Sequence, residues 1–81
     1  MSNKEIKKKI KKLIDAGKIS ISKLQRLFWI GYSRASKIFD SLIDAGCVLI
    51  GSEYKQYSIN SSKTEKIESI IFTNLPVYQE K

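Results

Sequence analysis

The polar side chains with the most suggestive types and spacing occur at the start of an amphipathic segment that follows a glycine turn. Ser33, Arg34 and Lys37 lie close together in the chain, and Ser41 follows about one helical turn later. Hydroxyl, guanidinium and ammonium groups donate hydrogen bonds to phosphate oxygens and to acceptors on base edges in the major groove. A helix that begins at Ser33 is therefore predicted to bind double-stranded DNA.

A second pair of candidate contacts lies in a turn further along the chain. Val48–Ile50 and residues 56–59 are rich in β-branched and aromatic residues, and Gly51 begins the turn between them. This pattern predicts a β-hairpin. On such a wing, Tyr54 and Lys55 are predicted to reach a neighbouring phosphate or the minor groove.

The composition argues against catalytic and metal chemistry. The chain has no histidine and one cysteine, Cys47, which excludes disulfide frameworks, Cys/His zinc sites and histidine-dependent catalysis. Cys47 opens an apolar run and is predicted to be a small buried hydrophobe. The carboxylates of Asp40 and Asp44 are expected to solvate their helix rather than to act as an acid and a base. We therefore expect a protein that is not an enzyme and that needs no cofactor and no metal.

The first helix is predicted over Asn3–Ala16, with Asn3 as its N-cap and Gly17 as its C-terminal stop. Apolar residues that recur at the spacing of one helical face should enter the core; they are Ile6, Ile10, Leu13 and Ile14. The remaining positions carry the lysines Lys7, Lys8, Lys9, Lys11 and Lys12. These lysines either contact phosphate groups or simply keep the protein soluble.

A short strand and a second helix are predicted next. Lys18–Ile21 alternates polar with apolar residues, as a half-buried strand does. Ser22 and Gln25 match a capping box, which indicates a helix over residues 23–28. The inner face of this helix is formed by Leu24, Leu27 and Phe28.

The third helix follows the turn at Gly31 and is predicted over Arg34–Ala45. Ser33 is a candidate N-cap, and Gly46 stands where a left-handed C-terminal cap is expected. One face is apolar and is formed by Ala35, Ile38, Phe39, Leu42 and Ile43. The opposite face would be exposed.

The predicted order of elements is helix, strand, helix, helix, strand, strand. This is a winged helix-turn-helix (α-β-α-α-β-β), a mainly α fold with a small β wing, and it accounts for residues 1–60 as one domain. Residues 61–81 add a C-terminal helix and a tail, since Ser62 and Glu65 match a second capping box. The apolar stripe of that helix, Ile67, Ile70, Ile71 and Leu75, either packs on its own domain or pairs with a second copy in a homodimer.

The string Gln-Arg-x-Phe-x-Ile-Gly-Tyr at residues 25–32 resembles a known family, the gamma domain at the C-terminal end of FtsK/SpoIIIE-type DNA translocases. The likeness covers about residues 4–59. The matching residues are Ile19, Ser20, Ser22, Gln25, Arg26, Phe28, Ile30, Gly31, Tyr32, Arg34, Ala35, Ala45 and Gly46.

This resemblance implies a winged helix that binds double-stranded DNA through its third helix and recognises short genomic motifs that orient the translocase. In some members the domain also contacts a site-specific recombinase. Ser33, Lys37 and Asp40 correspond to the base-contacting positions, and Arg26 and Arg34 to phosphate contacts. Lys23, on the second helix, joins the predicted DNA-binding set.

Two departures from the family pattern bear on the target. Ser33 stands where the family usually has asparagine, and Lys37 stands where it usually has arginine. Lysine lacks the planar fork that pairs with guanine O6 and N7, a contact worth about 1 to 3 kcal/mol of discrimination. The family's target motif is therefore not assumed for this chain.

The charge of the chain favours a polyanionic partner. The net charge is +7, distributed as +5 over residues 1–18, +2 over residues 19–59 and zero over residues 60–81. The N-terminal lysines would add affinity for duplexes of any sequence. No segment has the apolar length of a membrane span or a signal peptide, so we expect a cytoplasmic protein, nucleoid-associated in a bacterium. The chain begins at Met1 and lacks a P-loop, so it is expected to be either an excised domain or a free-standing relative from a phage or mobile element, and the extra C-terminal helix favours the second.

The alternative hypothesis is a protein-interaction or dimerisation module that serves as a regulator or an adaptor. Trp29 ends the second helix where the family is often basic, and an exposed tryptophan is a favoured interface anchor. The C-terminal helix, with Ile67, Ile70 and Ile71, would extend that surface.

Overall fold

The computed structural model describes residues 2–52 and 57–75, which form four α-helices and a two-stranded antiparallel sheet. The helices are α1 (Asn3–Ala16), α2 (Ile21–Phe28), α3 (Tyr32–Asp44) and α4 (Thr64–Asn74), and the strands are β1 (Val48–Ile50) and β2 (Tyr57–Ile59). A single 3-10 turn, Ser61–Lys63, precedes α4. The prediction of a mainly α winged helix-turn-helix with a C-terminal helix is confirmed.

One hydrophobic core lies between the helices and the sheet. It is formed by Ile6, Ile10, Leu13, Ile19, Leu24, Phe28, Ala35, Ile38, Phe39, Leu42, Cys47, Val48, Ile59, Ile67, Ile71 and Leu75. α2 and α4 each pack against both α1 and α3. α1 and α3 therefore occupy opposite corners of the four-helix arrangement, with the core between them.

The caps of α1 differ from the prediction at one end. Ser2, not Asn3, is the N-cap: its side chain accepts from the backbone N–H of Glu5 at 3.2 Å, and the Glu5 carboxylate accepts from Ser2 in return. This reciprocal pair satisfies two amide donors that the first turn leaves unpaired. At the other end, Gly17 has a φ of 75°, as predicted for a left-handed stop.

The start of α2 lies two residues earlier than the predicted capping box places it. Ser20 is the N-cap, and its side chain accepts from the backbone N–H of Lys23 at 3.1 Å. The predicted pairing of Ser22 with Gln25 is therefore wrong. Both serines precede apolar helical positions, and the one that keeps an extended backbone, with φ −154° and ψ 164°, takes the capping role.

The early start of α2 also shortens the predicted strand over Lys18–Ile21. A single bridge between Lys18 and Ser58 remains, flanked by hydrogen bonds from Ile19 N–H to the Tyr57 carbonyl at 3.2 Å and from Ile59 N–H to the Gly17 carbonyl at 3.0 Å. The segment still joins the hairpin edge, but as one bridge rather than as a strand.

The sheet is held against α3 by an aromatic contact. β1 and β2 pair in the register Val48 with Ile59, Leu49 with Ser58 and Ile50 with Tyr57. The ring of Tyr57 meets the ring of Phe39 edge-on, with centroids 5.0 Å apart and planes at 89°. Edge-to-face pairs of this kind add about 0.5 to 1.5 kcal/mol to the burial of the rings. The base of the wing is thus fixed to α3.

The exit from α3 follows the predicted glycine cap. Gly46 has a φ of 76°, and the N–H of Cys47 donates to the carbonyl of Leu42 at 2.8 Å. A left-handed residue at this position lets the chain leave the helix while pairing its last carbonyls. The helix ends at Asp44, with Ala45 as the C-cap.

α4 packs on its own domain, as the first of the two alternatives for its apolar stripe describes. Ile67 and Ile71 are fully buried, and Leu75 is 6% exposed. The predicted capping box of Ser62 and Glu65 is wrong, because the Asn60 side chain caps the 3-10 turn by accepting from the Ser62 N–H at 3.2 Å. None of the described helices has the length and apolarity that crossing a membrane requires.

Candidate nucleic-acid interface

A three-residue turn joins α2 to α3. Trp29 adopts the left-handed conformation, with φ 55° and ψ 50°, and its N–H donates to the carbonyl of Gln25. The N–H of Ile30 donates to the same carbonyl at 3.3 Å. Gly31 then precedes α3. A turn of this length between two short helices is the geometry of a helix-turn-helix.

α3 begins at Tyr32, two residues before the predicted start, and Gly31 is its N-cap. The prediction that Ser33 caps the helix is wrong, since Ser33 lies inside the first turn. The N–H of Ala35 donates to the Gly31 carbonyl at 3.1 Å, which is the first bond of the helix. Because glycine has no side chain to accept from the first-turn amides, these donors are available to an anion such as a phosphate group.

The outward face of α3 carries the predicted base-contacting residues. Ser33, Lys37 and Asp40 are exposed and recur at the spacing of one helical face, and Arg34 is exposed beside them. Ser41 is half-buried at the edge of this face. The opposite side is rigidly packed, since Ala35, Ile38 and Leu42 have no exposed surface. The polar groups therefore lie on a helix that the core holds in place.

Charge is divided along α3. Arg34 and Lys37 lie in its first half, whereas Asp40 and Asp44 lie in its second half. Phosphate oxygens would attract the first half and repel the second. A duplex that meets this face is therefore expected to approach the N-terminal half, where base contacts are made in helix-turn-helix proteins.

The start of α3 borders an open groove whose other wall is the end of α4. Its lining residues are Gly31, Tyr32, Ser33, Arg34, Lys37, Thr73, Asn74 and Leu75. The Arg34 guanidinium donates from Nη1 to the backbone carbonyl of Asn74 at 3.3 Å. Sequence reasoning did not find this contact, because no local pattern places the end of α4 beside α3. Sequence reasoning also missed Tyr32, which is 63% exposed. If Gly31 had been taken as the N-cap of α3, Tyr32 would have been included in its first turn.

The remaining predicted DNA contacts lie on α2 and on the wing. Arg26 is exposed in the last turn of α2, and Lys23 is half-buried in its first turn. α2 packs against α3, so these two cations belong to the helix next to the candidate interface. Tyr54 and Lys55 lie outside the residues that the structure describes.

The predicted protein-interaction residues are separated by the fold. Trp29 is 82% exposed, whereas Ile67 and Ile71 are fully buried in the core. Ile70 is half-buried and packs against that core. Contact of Ile67 and Ile71 with a second protein would require the core of this domain to open. Trp29 stays accessible.

Other reactive groups in the described part of the chain are few. No group of three or more His, Cys, Asp or Glu side chains there could hold a metal ion. The thiol of Cys47 is fully buried, as its apolar surroundings in the sequence predicted. Burial raises the pKa of Cys47, and the nearby charges of Lys63 and Lys66 oppose this rise.

Comparison with known proteins gives one match. The model of the Ftsk gamma domain family matches residues 2–58, a span that runs from the cap of α1 into β2 and ends before α4. No curated protein and no solved structure matches the chain. The matched span includes the turn and the whole of α3. The match therefore agrees with the resemblance that residues 25–32 carry. The chain belongs to the Ftsk gamma domain family, a family of DNA-binding winged helices.

Proposed function

We propose that this protein binds double-stranded DNA by placing the exposed face of α3, from Ser33 to Asp40, in the major groove. The observation that carries the proposal is the exposed row of Ser33, Lys37 and Asp40 on a helix whose other face is fully packed. A helix fits the major groove of B-DNA, which is about 12 Å wide. The packed face holds the helix backbone in a fixed orientation, so that only the exposed side chains have to be ordered on binding.

The phosphate contacts of this arrangement come from both helices of the motif. Arg34 and the first amides of α3 lie at one end, and Arg26 and Lys23 lie on α2. Contacts to phosphates fix the position of a protein on the duplex but carry no sequence information directly. Binding should therefore depend strongly on salt. If about five phosphates are neutralised, the slope of log K against log salt is expected to be about −4 to −5.

Sequence preference would come from Lys37, Asp40 and Ser33. The Lys37 ammonium donates to guanine O6 or N7, and the Asp40 carboxylate accepts from the amino group of cytosine. Lysine makes a point contact rather than a forked one. Discrimination at the Lys37 position is thus expected to be at the lower end of about 1 to 3 kcal/mol for a base contact.

The test begins with selection of bound duplexes from a random pool, followed by anisotropy titrations of the selected duplex and a scrambled one. Lys37→Ala should weaken the selected duplex more than the scrambled one, whereas Arg26→Ala should weaken both alike. Lys66→Ala, which removes an exposed charge from α4, serves as the control. Equal losses on both duplexes for Lys37→Ala would reduce this residue to a phosphate contact. No binding to any duplex at about 50 mM salt would end the proposal.

A protein-contact surface at Trp29 is a second candidate, favoured by the 82% exposure of that side chain. Trp29 lies in the turn between α2 and α3, three residues before the exposed Tyr32. Tryptophan and tyrosine are the side chains most enriched in interface hot spots. Light scattering over a range of concentrations tests the simplest case, a homodimer. A mass that falls to that of a monomer in Trp29→Ala would support it, and a wild-type monomer at all concentrations would exclude it.

A further inference from the structure

The most positive surface of the described structure is not on α3. α1 carries six lysines and two acidic residues, Glu5 and Asp15, whereas α3 carries two cations and two carboxylates. This excess of positive charge on α1 lies outside the helix-turn-helix. The position of these lysines decides which duplex they can contact.

The lysines of α1 are concentrated opposite the core. Ile6, Ile10 and Leu13 are 5%, 1% and 0% exposed and define the buried side of the helix. At about 100° per residue, Lys4 and Lys8 fall directly opposite these residues, and Lys11 and Lys12 fall on either side. All four side chains are exposed. We call this set, Lys4, Lys8, Lys11 and Lys12, the α1 basic face.

The fold places the α1 basic face away from α3. α2 and α4 each pack against both helices, and the core fills the space between α1 and α3. The outward faces of α1 and α3 therefore lie on different sides of the core. DNA is stiff over about 150 base pairs, so a short duplex bound at α3 does not bend round the domain to reach Lys8. The affinity that the sequence predicts for these lysines is therefore expected to act on a duplex other than the one at α3.

We propose that the α1 basic face binds a second DNA duplex, so that one copy of this protein bridges two DNA segments. The inference rests on the proposed function, because it takes the first duplex to be bound at α3. Lys4 and Lys12 are eight residues apart and thus about 12 Å apart along the helix. One strand of a duplex presents a phosphate about every 3.4 Å along its axis. The face is therefore long enough to contact more than one phosphate of a strand.

The chemistry of the α1 basic face fits DNA better than a membrane or a protein. An interfacial helix inserts its apolar side into lipid, but here Ile6, Ile10 and Leu13 are buried in the core. The cores of protein interfaces are enriched in aromatic residues and arginine and depleted of lysine. Lysines in a row without apolar neighbours are suited to phosphates, which need no desolvated pocket.

One local feature determines which lysines to change. Lys11 lines a groove between α1 and α4 together with Glu68, an acidic residue that would repel a phosphate at that edge of the face. Lys8 and Lys12 lie on the other side of the face. The double variant Lys8→Gln/Lys12→Gln therefore removes the charges that a second duplex would meet. Lys18→Gln/Lys66→Gln, which removes two other exposed charges, is the matched control.

The experiment measures bridging and single-duplex binding on the same full-length proteins. Energy transfer between donor-labelled and acceptor-labelled duplexes reports bridging, and anisotropy of one dilute duplex reports binding. Wild-type protein and the matched control should bring the two duplexes together. Lys8→Gln/Lys12→Gln should lower bridging roughly tenfold, and should reduce the salt slope of bridging by about 2, since each lysine that contacts a phosphate contributes about 1. Its single-duplex affinity should stay close to that of the control.

The outcomes separate this inference from the proposed function. Tight single-duplex binding by the wild type without bridging would overturn the inference alone. If Lys8→Gln/Lys12→Gln still bridges duplexes, the bridging comes from an oligomer and the inference is overturned. The inference is also overturned if this variant loses bridging and single-duplex binding to the same extent. A further outcome would also overturn the inference: the wild type binds phosphatidylserine vesicles but does not bridge duplexes, and Lys8→Gln/Lys12→Gln loses the vesicle binding. The α1 basic face would then be assigned to lipid. A wild type that binds no duplex at about 50 mM salt would overturn both proposals.

Discussion

The guanidinium of Arg34 and the backbone carbonyl of Asn74 join the start of α3 to the end of α4, with Nη1 donating to the carbonyl oxygen at 3.3 Å. The last carbonyls of a helix carry a partial negative charge, so a cation is stabilised there. Arg34 lies within the span that matches the family, whereas Asn74 lies well beyond its end at residue 58. The C-terminal helix thus orients a candidate DNA contact of the family domain from outside that domain.

Arg34→Ala should reduce duplex affinity more than it reduces stability. The hydrogen bond to Asn74 is exposed, so its loss is expected to cost only about 0.5 to 1 kcal/mol in the free energy of unfolding. Loss of a phosphate contact should weaken all duplexes alike and lower the salt slope by about 1. Urea unfolding and anisotropy measure the two effects, with Lys66→Ala as the control for charge. Unchanged affinity with a loss of stability would show that Arg34 serves only to hold α4.

Ile71→Ala should destabilise the fold without changing the mass of the protein in solution. Ile71 is fully buried between α4 and the rest of the core, and removing a buried isoleucine side chain costs about 2 to 5 kcal/mol. Ile70→Ala, at a half-buried position one residue earlier, should cost clearly less. Urea unfolding measures the difference. A stable Ile71→Ala protein that dissociates from a dimer would contradict the packing of α4 on its own domain.

The core of this fold could be predicted from the sequence because its periodicity is strong. Ile6, Ile10 and Leu13 on α1, like Leu24 and Phe28 on α2, recur at helical spacing, and all are buried. The glycine stops were also predictable, since Gly17 and Gly46 both adopt a positive φ. These patterns are local, and nothing in the tertiary structure overrides them.

The helix starts were less predictable because several residues of the same type compete for each cap. Ser2 rather than Asn3 caps α1, and Ser20 rather than Ser22 caps α2. A capping motif specifies side-chain chemistry, but the backbone conformation of the flanking residue decides which candidate is used. The contact between Arg34 and Asn74 was beyond sequence reasoning for a different reason, since forty residues separate the partners and only the packing of α4 brings them together.

Trp29→Gly should stabilise the protein. Trp29 has a φ of 55° and is the one non-glycine residue with a positive φ in the described part of the chain. The left-handed conformation costs about 1 to 2 kcal/mol for residues other than glycine. Its side chain is 82% exposed, so little packing is lost with it. Glycine relieves this strain but also makes the unfolded chain more flexible, which costs less. The free energy of unfolding should therefore rise by about 0.5 kcal/mol. Trp29→Ala keeps the strain and is the control; a Gly variant less stable than the Ala variant in urea would contradict the prediction.

The thiol of Cys47 should react with a disulfide reagent much more slowly in the folded protein than in denaturing urea. Cys47 is fully buried, and burial raises its pKa, so both access and the reactive thiolate are reduced. Because the folded pKa lies above the unfolded value, the contribution of this group to stability is present below the unfolded pKa and is lost as the pH rises through the folded one.

The charge of Lys66 opposes the rise in the pKa of Cys47. Lys66→Gln should therefore raise this pKa further and slow labelling at a fixed alkaline pH, whereas Lys18→Gln should not. Labelling of the native protein at the unfolded rate would show that the junction between α3 and β1 opens more readily than its packing implies.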